Sequence, residues 1–181
     1  MSDAQPSHFE AGDLRLRLLR PDDVPLLVRW LTDPRLLEWY EGRDRPHTRQ
    51  MVLAEYYVED ETTRCIVEWD GRPIGYQQFY PVLEDERDEY GYEPGADIWG
   101  MDQFIGEPDL WSRGLGTSLV TIVTAMLFDK EADIVAMDPQ QRNLRALRCY
   151  EKAGFKIVRP LAGRELHEGK WEDCWLIERR R

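Results

Sequence analysis

Residues 111–120, WSRGLGTSLV, set two glycines and an arginine directly before a run of apolar residues. Leu119, Val120, Val123, Met126 and Leu127 recur at helical spacing and predict a helix with one buried face over residues 114–128. The start of a helix leaves backbone N–H groups unpaired and carries positive partial charge. Glycines there, Gly114 and Gly116, let an anion approach the backbone, and phosphate is the usual one. An ordinary loop-to-helix turn accounts equally well for these residues, so the rest of the chain has to decide.

Two owners of glycine turns fail on single positions. The phosphate-loop NTPase pattern needs a lysine after its second glycine, where this chain has Thr117 and Ser118. The dinucleotide pattern GxGxxG needs a third glycine where Leu119 stands. A phosphate-bearing ligand other than a nucleoside triphosphate or a nicotinamide dinucleotide is left.

Around this turn the chain reads as a mixed α+β protein. Residues 14–19 alternate as a strand, and a helix opened by Pro21, Asp22 and Asp23 runs through Trp30. A broken helical segment follows over 30–46, then a helix over 48–58. Residues 65–82 read as two strands joined at Asp70-Gly71, a strong hairpin signal. A further strand over 96–106 is interrupted by Gly100, and DIVAMDP, residues 133–139, is a short buried strand. A helix over 143–152 closes at Gly154, and residues 155–160 and 172–179 supply the last strands. The expectation is one domain over 1–181, its central mixed, twisted sheet of about six to seven strands flanked by helices, with residues 1–12 a flexible terminus.

With 181 residues the chain can bury a core without metal or disulfide staples. Its net charge of −11 excludes a nucleic-acid binder, which needs a basic face. No apolar run reaches the length of a membrane span, and MSDAQPSHFE is no signal peptide. The odd count of three cysteines, without a CxxC pair, reads as reduced thiols in a cytoplasm, and no His/Cys spacing suggests a metal. Residues 84–97, EDERDEYGYEPGAD, hold seven acidic residues against Arg87 alone. Such an acidic loop is either solvated surface or an electrostatic funnel for a cation, and the interleaved Tyr90 and Tyr92 favour the funnel.

RGLGT at 113–117, followed by NLRALRCYEKAGF at 143–155, resembles the GNAT superfamily of acetyl-CoA-dependent N-acetyltransferases. GMDQFIGEPDLWSRGLGT, LEWYEGRDRPHT and ELHEGKWEDCWLIE narrow the resemblance to aminoglycoside 6′-N-acetyltransferases. ELHEGKWEDC is most similar to the acetyltransferase half of the bifunctional aminoglycoside-modifying enzyme of Gram-positive bacteria, of which this chain would be a stand-alone version. The superfamily often has Gln or Arg where this chain has Trp111, which leaves Arg113 as the cation of the turn.

The resemblance implies roles for individual residues. Arg113, Gly114, Leu115, Gly116 and Thr117 would hold the pyrophosphate of acetyl-CoA. Asn143 and Tyr150 would lie along the pantetheine arm, with Phe104, Ile105 and Ala146 as further cofactor contacts. Asp102 would contact the amine to be acetylated, either as the base that accepts its proton or only as an orienter, and Tyr150 would protonate the departing thiolate. Asn143 and Tyr150 are seven residues apart, two turns along one helix face. Main chain near Gly100 would meet the oxyanion. Trp39 and Tyr40 would form an aromatic wall for sugar rings, and Glu41, Glu89, Asp138 and Asp173 would face the cationic drug. Asp138 reads equally well as a turn cap, and Glu168 and Glu172 as surface. His8, His47 and His167 have no thiol fixed beside them for a cysteine-based mechanism. A polyamine, a protein N-terminus or lysine, and a non-catalytic acyl-CoA sensor are the alternatives, with nothing to separate monomer from homodimer.

Overall fold

The computed structural model describes residues 8–11, as backbone only, and 13–181. Eight strands form one sheet: β1 His8–Ala11, β2 Leu14–Leu18, β3 Thr63–Trp69, β4 Arg72–Pro81, β5 Ile98–Ile105, β6 Ile134–Met137, β7 Lys156–His167 and β8 Lys170–Arg180. Their order is β1-β2-β3-β4-β5-β6-β8-β7. The helices are α1 Val24–Trp30, α2 Pro34–Leu37, α3 Arg49–Tyr56, α4 Glu84–Tyr90, α5 Leu115–Asp129 and α6 Leu144–Lys152. The mixed α+β class therefore holds, and β2–β8 match the expected strands with β1 as an eighth. Of the expected flexible terminus, residues 8–11 are a strand paired with β2, and 1–7 and 12 lie outside the described residues.

Where one domain is expected, the chain parts into two compact units, Met1–Gln78 with Gln103–Leu110, and Phe79–Asp102 with Trp111–Arg181. The boundary cuts through β4 and β5, which both units share. The first unit is built on an aromatic core. Phe104 stacks on Tyr76 at 5.5 Å and meets Trp30 and Tyr40 edge-on at 5.9 and 4.9 Å. Two glycines of the neighbouring strands make room for this packing. A Cβ on Gly106 would lie 2.4 Å from the Trp30 ring, and one on Gly75 would lie 2.3 Å from the Phe104 carbonyl. Glu107 then accepts the Trp30 indole N–H at 2.9 Å and pairs with Arg29. The Gly-Glu of GMDQFIGEP thus does structural work in this unit.

The second unit packs α5 and α6 together and buries the stripe Leu119, Val120, Val123 and Leu127, each at 0% exposure. Each such side chain contributes about 1.5–3 kcal/mol as an upper bound, so the predicted apolar face decides where α5 lies. Asp70 and Gly71 both adopt positive φ, 50° and 69°, as a two-residue hairpin turn between β3 and β4 requires.

Two readings need correction. The acidic stretch is not a loop: residues 84–90 are α4. Glu84, Asp85 and Glu86 occupy its first turn, where acids favour a helix, and Gly91 at φ 73° closes it. The final strands are also longer than expected. Glu168 and Gly169, at φ 49° and 73°, form a second tight turn, so β7 continues to His167 and pairs with all of β8.

Candidate active site

Helix α5 starts without a cap. Gly114 occupies its N-cap position at φ 85° with no side-chain bond, and the first turn closes only when Ser118 N–H reaches the Gly114 carbonyl. The N–H groups of Leu115, Gly116 and Thr117 precede that bond and point out of the helix start. A Cβ on Gly114 would meet nothing within 4 Å, while one on Gly116 would touch Cys149 Sγ of α6 at 3.4 Å. Arg113 is exposed at the turn. It is not the one cation there: Arg145 of α6 lies 3.8 Å over the Trp111 ring. A tryptophan stands where the superfamily often has Gln or Arg, and it carries its cation on its face.

Within the same unit β5 and β6 part. Their parallel ladder runs Ile98↔Ile134, Trp99↔Val135 and Gly100↔Ala136 and ends there. The main chain of β5 continues to Met101 and Asp102 beyond it, while Met137 of β6 pairs with β8 and Pro139 follows. Asp102 is half-buried and shares its strand face with Gly100. Gly100 lacks a side chain because Tyr80 fills the place: a Cβ would lie 2.5 Å from its ring. Gly100 thus has a packing role of its own in the second unit. Burial, reinforced by the charges of Asp102, Glu86 and Asp138, pushes the Tyr80 hydroxyl far above its ordinary range. Three carboxylates thus share the surroundings of one buried phenol that the sequence reading did not single out.

On α6, Asn143 is the N-cap and accepts the Ala146 N–H at 3.2 Å. Tyr150, two turns on, meets Phe155 edge-on at 6.3 Å and borders an open cavity of about 550 Å³ that Leu144, Leu147 and Ile157 also line. Cys149 faces α5, 3.5 Å from Thr117, and burial raises its thiol. Burial also pushes Cys174 up to about 12. Neither is suited to act as a thiolate nucleophile at neutral pH.

Asp138 does not present an unpaired charge. Arg164 pairs with it at 2.8 Å, and with Glu86 at 3.2 Å and Glu89 at 2.5 Å. The same guanidinium lies 5.3 Å from the Tyr90 ring centre. Burial, with the charges of Asp138 and Glu89, keeps Glu86 above the usual carboxylate range although the Tyr90 hydroxyl donates to it and Arg164 stands beside it. Tyr92 donates instead to Glu178 at 2.7 Å. Asp173 accepts the Gly163 N–H at 2.8 Å, and Glu172 lies 3.8 Å from Arg142.

In the first unit, Trp39 and Tyr40 are half-buried in the turn after α2, and the Phe104 side chain is buried, which leaves its main chain for any ligand. Ile105 ends β5, half-buried. Glu41 is held by Arg45 at 2.5 Å. Glu41, His47 and Glu55 come within 4.8 Å of one another, a grouping their sequence spacing hides. Arg45 also pairs with Glu55 at 2.7 Å, and His47 bonds Glu55 at 3.0 Å, so this cluster already contains its cation.

The fold, the uncapped helix and the parting strands are those of one class. The chain belongs to the GNAT acetyltransferases: the profile of the acetyltransferase (GNAT) domain matches residues 20–162. It is 35% identical over 146 residues to aminoglycoside N(6′)-acetyltransferase type 1 of Klebsiella pneumoniae, covering 78% of this chain and 73% of that protein. A solved structure of AAC(6′)-Ib in complex with ribostamycin and coenzyme A matches with a TM-score of 0.79 at 32% identity, covering 94% of each chain. N-hydroxyputrescine acetyltransferase of Acinetobacter baumannii is 26% identical over 165 residues, 87% of this chain and 76% of that protein. No helix among the described residues is long and apolar enough to cross a membrane.

Proposed function

We propose that this chain transfers the acetyl group of acetyl-CoA to the 6′-amine of aminoglycoside antibiotics, kanamycin and tobramycin among them, and so confers resistance. The observation that carries the reading is the α5 N-terminus, left uncapped by any side chain, in the unit where β5 also leaves β6. The likeness to aminoglycoside N(6′)-acetyltransferases supports the drug class.

The residues fit coenzyme A. The N–H groups of Leu115, Gly116 and Thr117 face outward for a pyrophosphate, with Arg113 and Arg145 as cations near it. Acetyl-CoA supplies an activated acyl group. Asp102 holds the incoming ammonium, whose pKa near 10.4 keeps it protonated at neutral pH, and receives the proton it must lose. Asp102 passes that proton to solvent and accepts the second one, which the nitrogen loses as it takes the acetyl group in place of sulfur. Main chain of β5 beyond Gly100 donates to the acyl oxygen, and the Tyr150 hydroxyl gives its proton to the departing sulfur and regains one from solvent. We read the reaction as direct transfer, in which no cysteine of this chain carries the acetyl group.

Thiol release from acetyl-CoA, measured with kanamycin, spermidine and a lysine peptide in parallel, tests the reading. Turnover with kanamycin and an acetyl group located on the 6′-nitrogen by mass spectrometry is the expected result. Turnover with spermidine alone would move the assignment to a polyamine, the substrate type nearer to the Acinetobacter relative.

A further inference from the structure

Arg164 reaches the acidic pocket by a built detour of the chain. Between Leu161↔Cys174 and Glu165↔Glu172 the β7–β8 ladder loses register, so that β7 spends more residues than its partner over the same span. This bulge contains Gly163 at φ 55°, and the Asp173 carboxylate pins it by accepting the Gly163 N–H. Bulges of this kind re-aim side chains. Here the next residue, Arg164, is turned onto Asp138, Glu86 and Glu89 with its guanidinium over Tyr90. Three carboxylates and an aromatic face around one cation are what an alkylammonium ligand would seek. The cluster is open enough for exchange: the side chains of Arg164, Asp138 and Glu86 are 27%, 28% and 30% exposed.

We infer that Arg164 is an internal competitor for the cationic substrate, a specificity-determining residue that occupies the carboxylates of Asp138, Glu86 and Glu89 until an ammonium group of a polycationic acceptor displaces it. The inference rests on the proposed reading for the identity of that acceptor. Arg164 sets the affinity for the non-reacting ammonium groups and leaves the acyl-transfer step alone. Asp173, whose carboxylate accepts the Gly163 N–H, is a positioning residue that holds the bulge.

The test compares wild type, Arg164→Gln and Arg164→Lys with kanamycin and with 6-amino-6-deoxyglucose, which carries the reacting amine and no second charge. Arg164→Gln should lower KM for kanamycin about tenfold, the change expected when one of several near-surface charge pairs is removed. Its kcat should stay within about twofold, and KM for the single-amine sugar should move by less than twofold. Arg164→Lys, which keeps the charge, should remain close to wild type. Asp173→Ala, which removes the acceptor of the Gly163 N–H, should shift KM for kanamycin in the same direction as Arg164→Gln by a smaller factor. Calorimetric binding of kanamycin without acetyl-CoA gives a second readout and should tighten in parallel. An unchanged or weaker affinity for kanamycin in folded Arg164→Gln overturns the inference, as does an equal change for both acceptors. Wild type that turns over spermidine but not kanamycin overturns the functional reading alone; the same comparison with spermidine then decides the role of Arg164.

Discussion

Helices α5 and α6 pack against each other and begin in opposite ways. At α6 the Asn143 side chain accepts the Ala146 N–H, and Thr48 does the same for Met51 at the start of α3. At α5 the N-cap is Gly114 in a left-handed conformation with no side-chain bond at all. A cap is worth about 1 kcal/mol to a helix, so a fold that caps α3 and α6 forgoes that stabilisation at α5. Under the proposed function, the difference separates a helix end that completes itself from one that a bound pyrophosphate would complete. It also puts both helices in one account: α6 brings Arg145 to the turn that α5 leaves open.

The comparison can be broken most severely at the open end. Gly114→Val forces a β-branched residue into φ 85° and places methyl groups in the anion's approach. Three charge-assisted bonds at about 1.5–3 kcal/mol each make a loss of about 10³-fold or more in kcat/KM for acetyl-CoA the expected result. Folded Gly114→Val with unaltered acetyl-CoA kinetics would remove the turn from the site. Asp102→Asn should leave the acetyl-CoA KM near wild type and cut kcat about 10²–10³-fold, in steady-state kinetics at neutral pH. A kcat within a few-fold of wild type would reassign Asp102 to a structural part. Arg145→Ala takes away the cation on Trp111 and should raise the acetyl-CoA KM about fivefold, a modest effect for a partly exposed charge. The self-completed end is the mildest case. Asn143→Ala should lower the thermal midpoint by about 2–4 °C, the equivalent of one lost cap.

Much of this architecture is legible in the sequence where a signal is local. The spacing of Leu119, Val120, Val123 and Leu127 locates α5, and Asp70-Gly71 locates the first hairpin. The same local logic would have found the second: Glu168-Gly169 is a turn pair of the same type, flanked by strand residues. The acidic stretch misleads because its density of charge reads as solvated loop, although acids at 84–86 and a glycine at 91 are also the two ends of a helix. The site was legible only in part. The proposed members Gly114, Gly116, Asp102, Asn143 and Tyr150 stand in motifs. Arg164, by contrast, meets Asp138 across 26 residues and Glu86 across 78, through a bulge that no periodicity announces. Arg145 and Tyr80 escape for the same reason: one is a cation on a helix full of cations, the other a strand tyrosine whose neighbours are set by pairing.

The most direct measurement follows the backbone amide resonances of α5 and α6 by NMR while coenzyme A is added. The account predicts that the N–H signals of Leu115, Gly116 and Thr117 move furthest and saturate together, while Ala146, already bonded to Asn143, moves far less. Coenzyme A binding that leaves those three amides in place would contradict it.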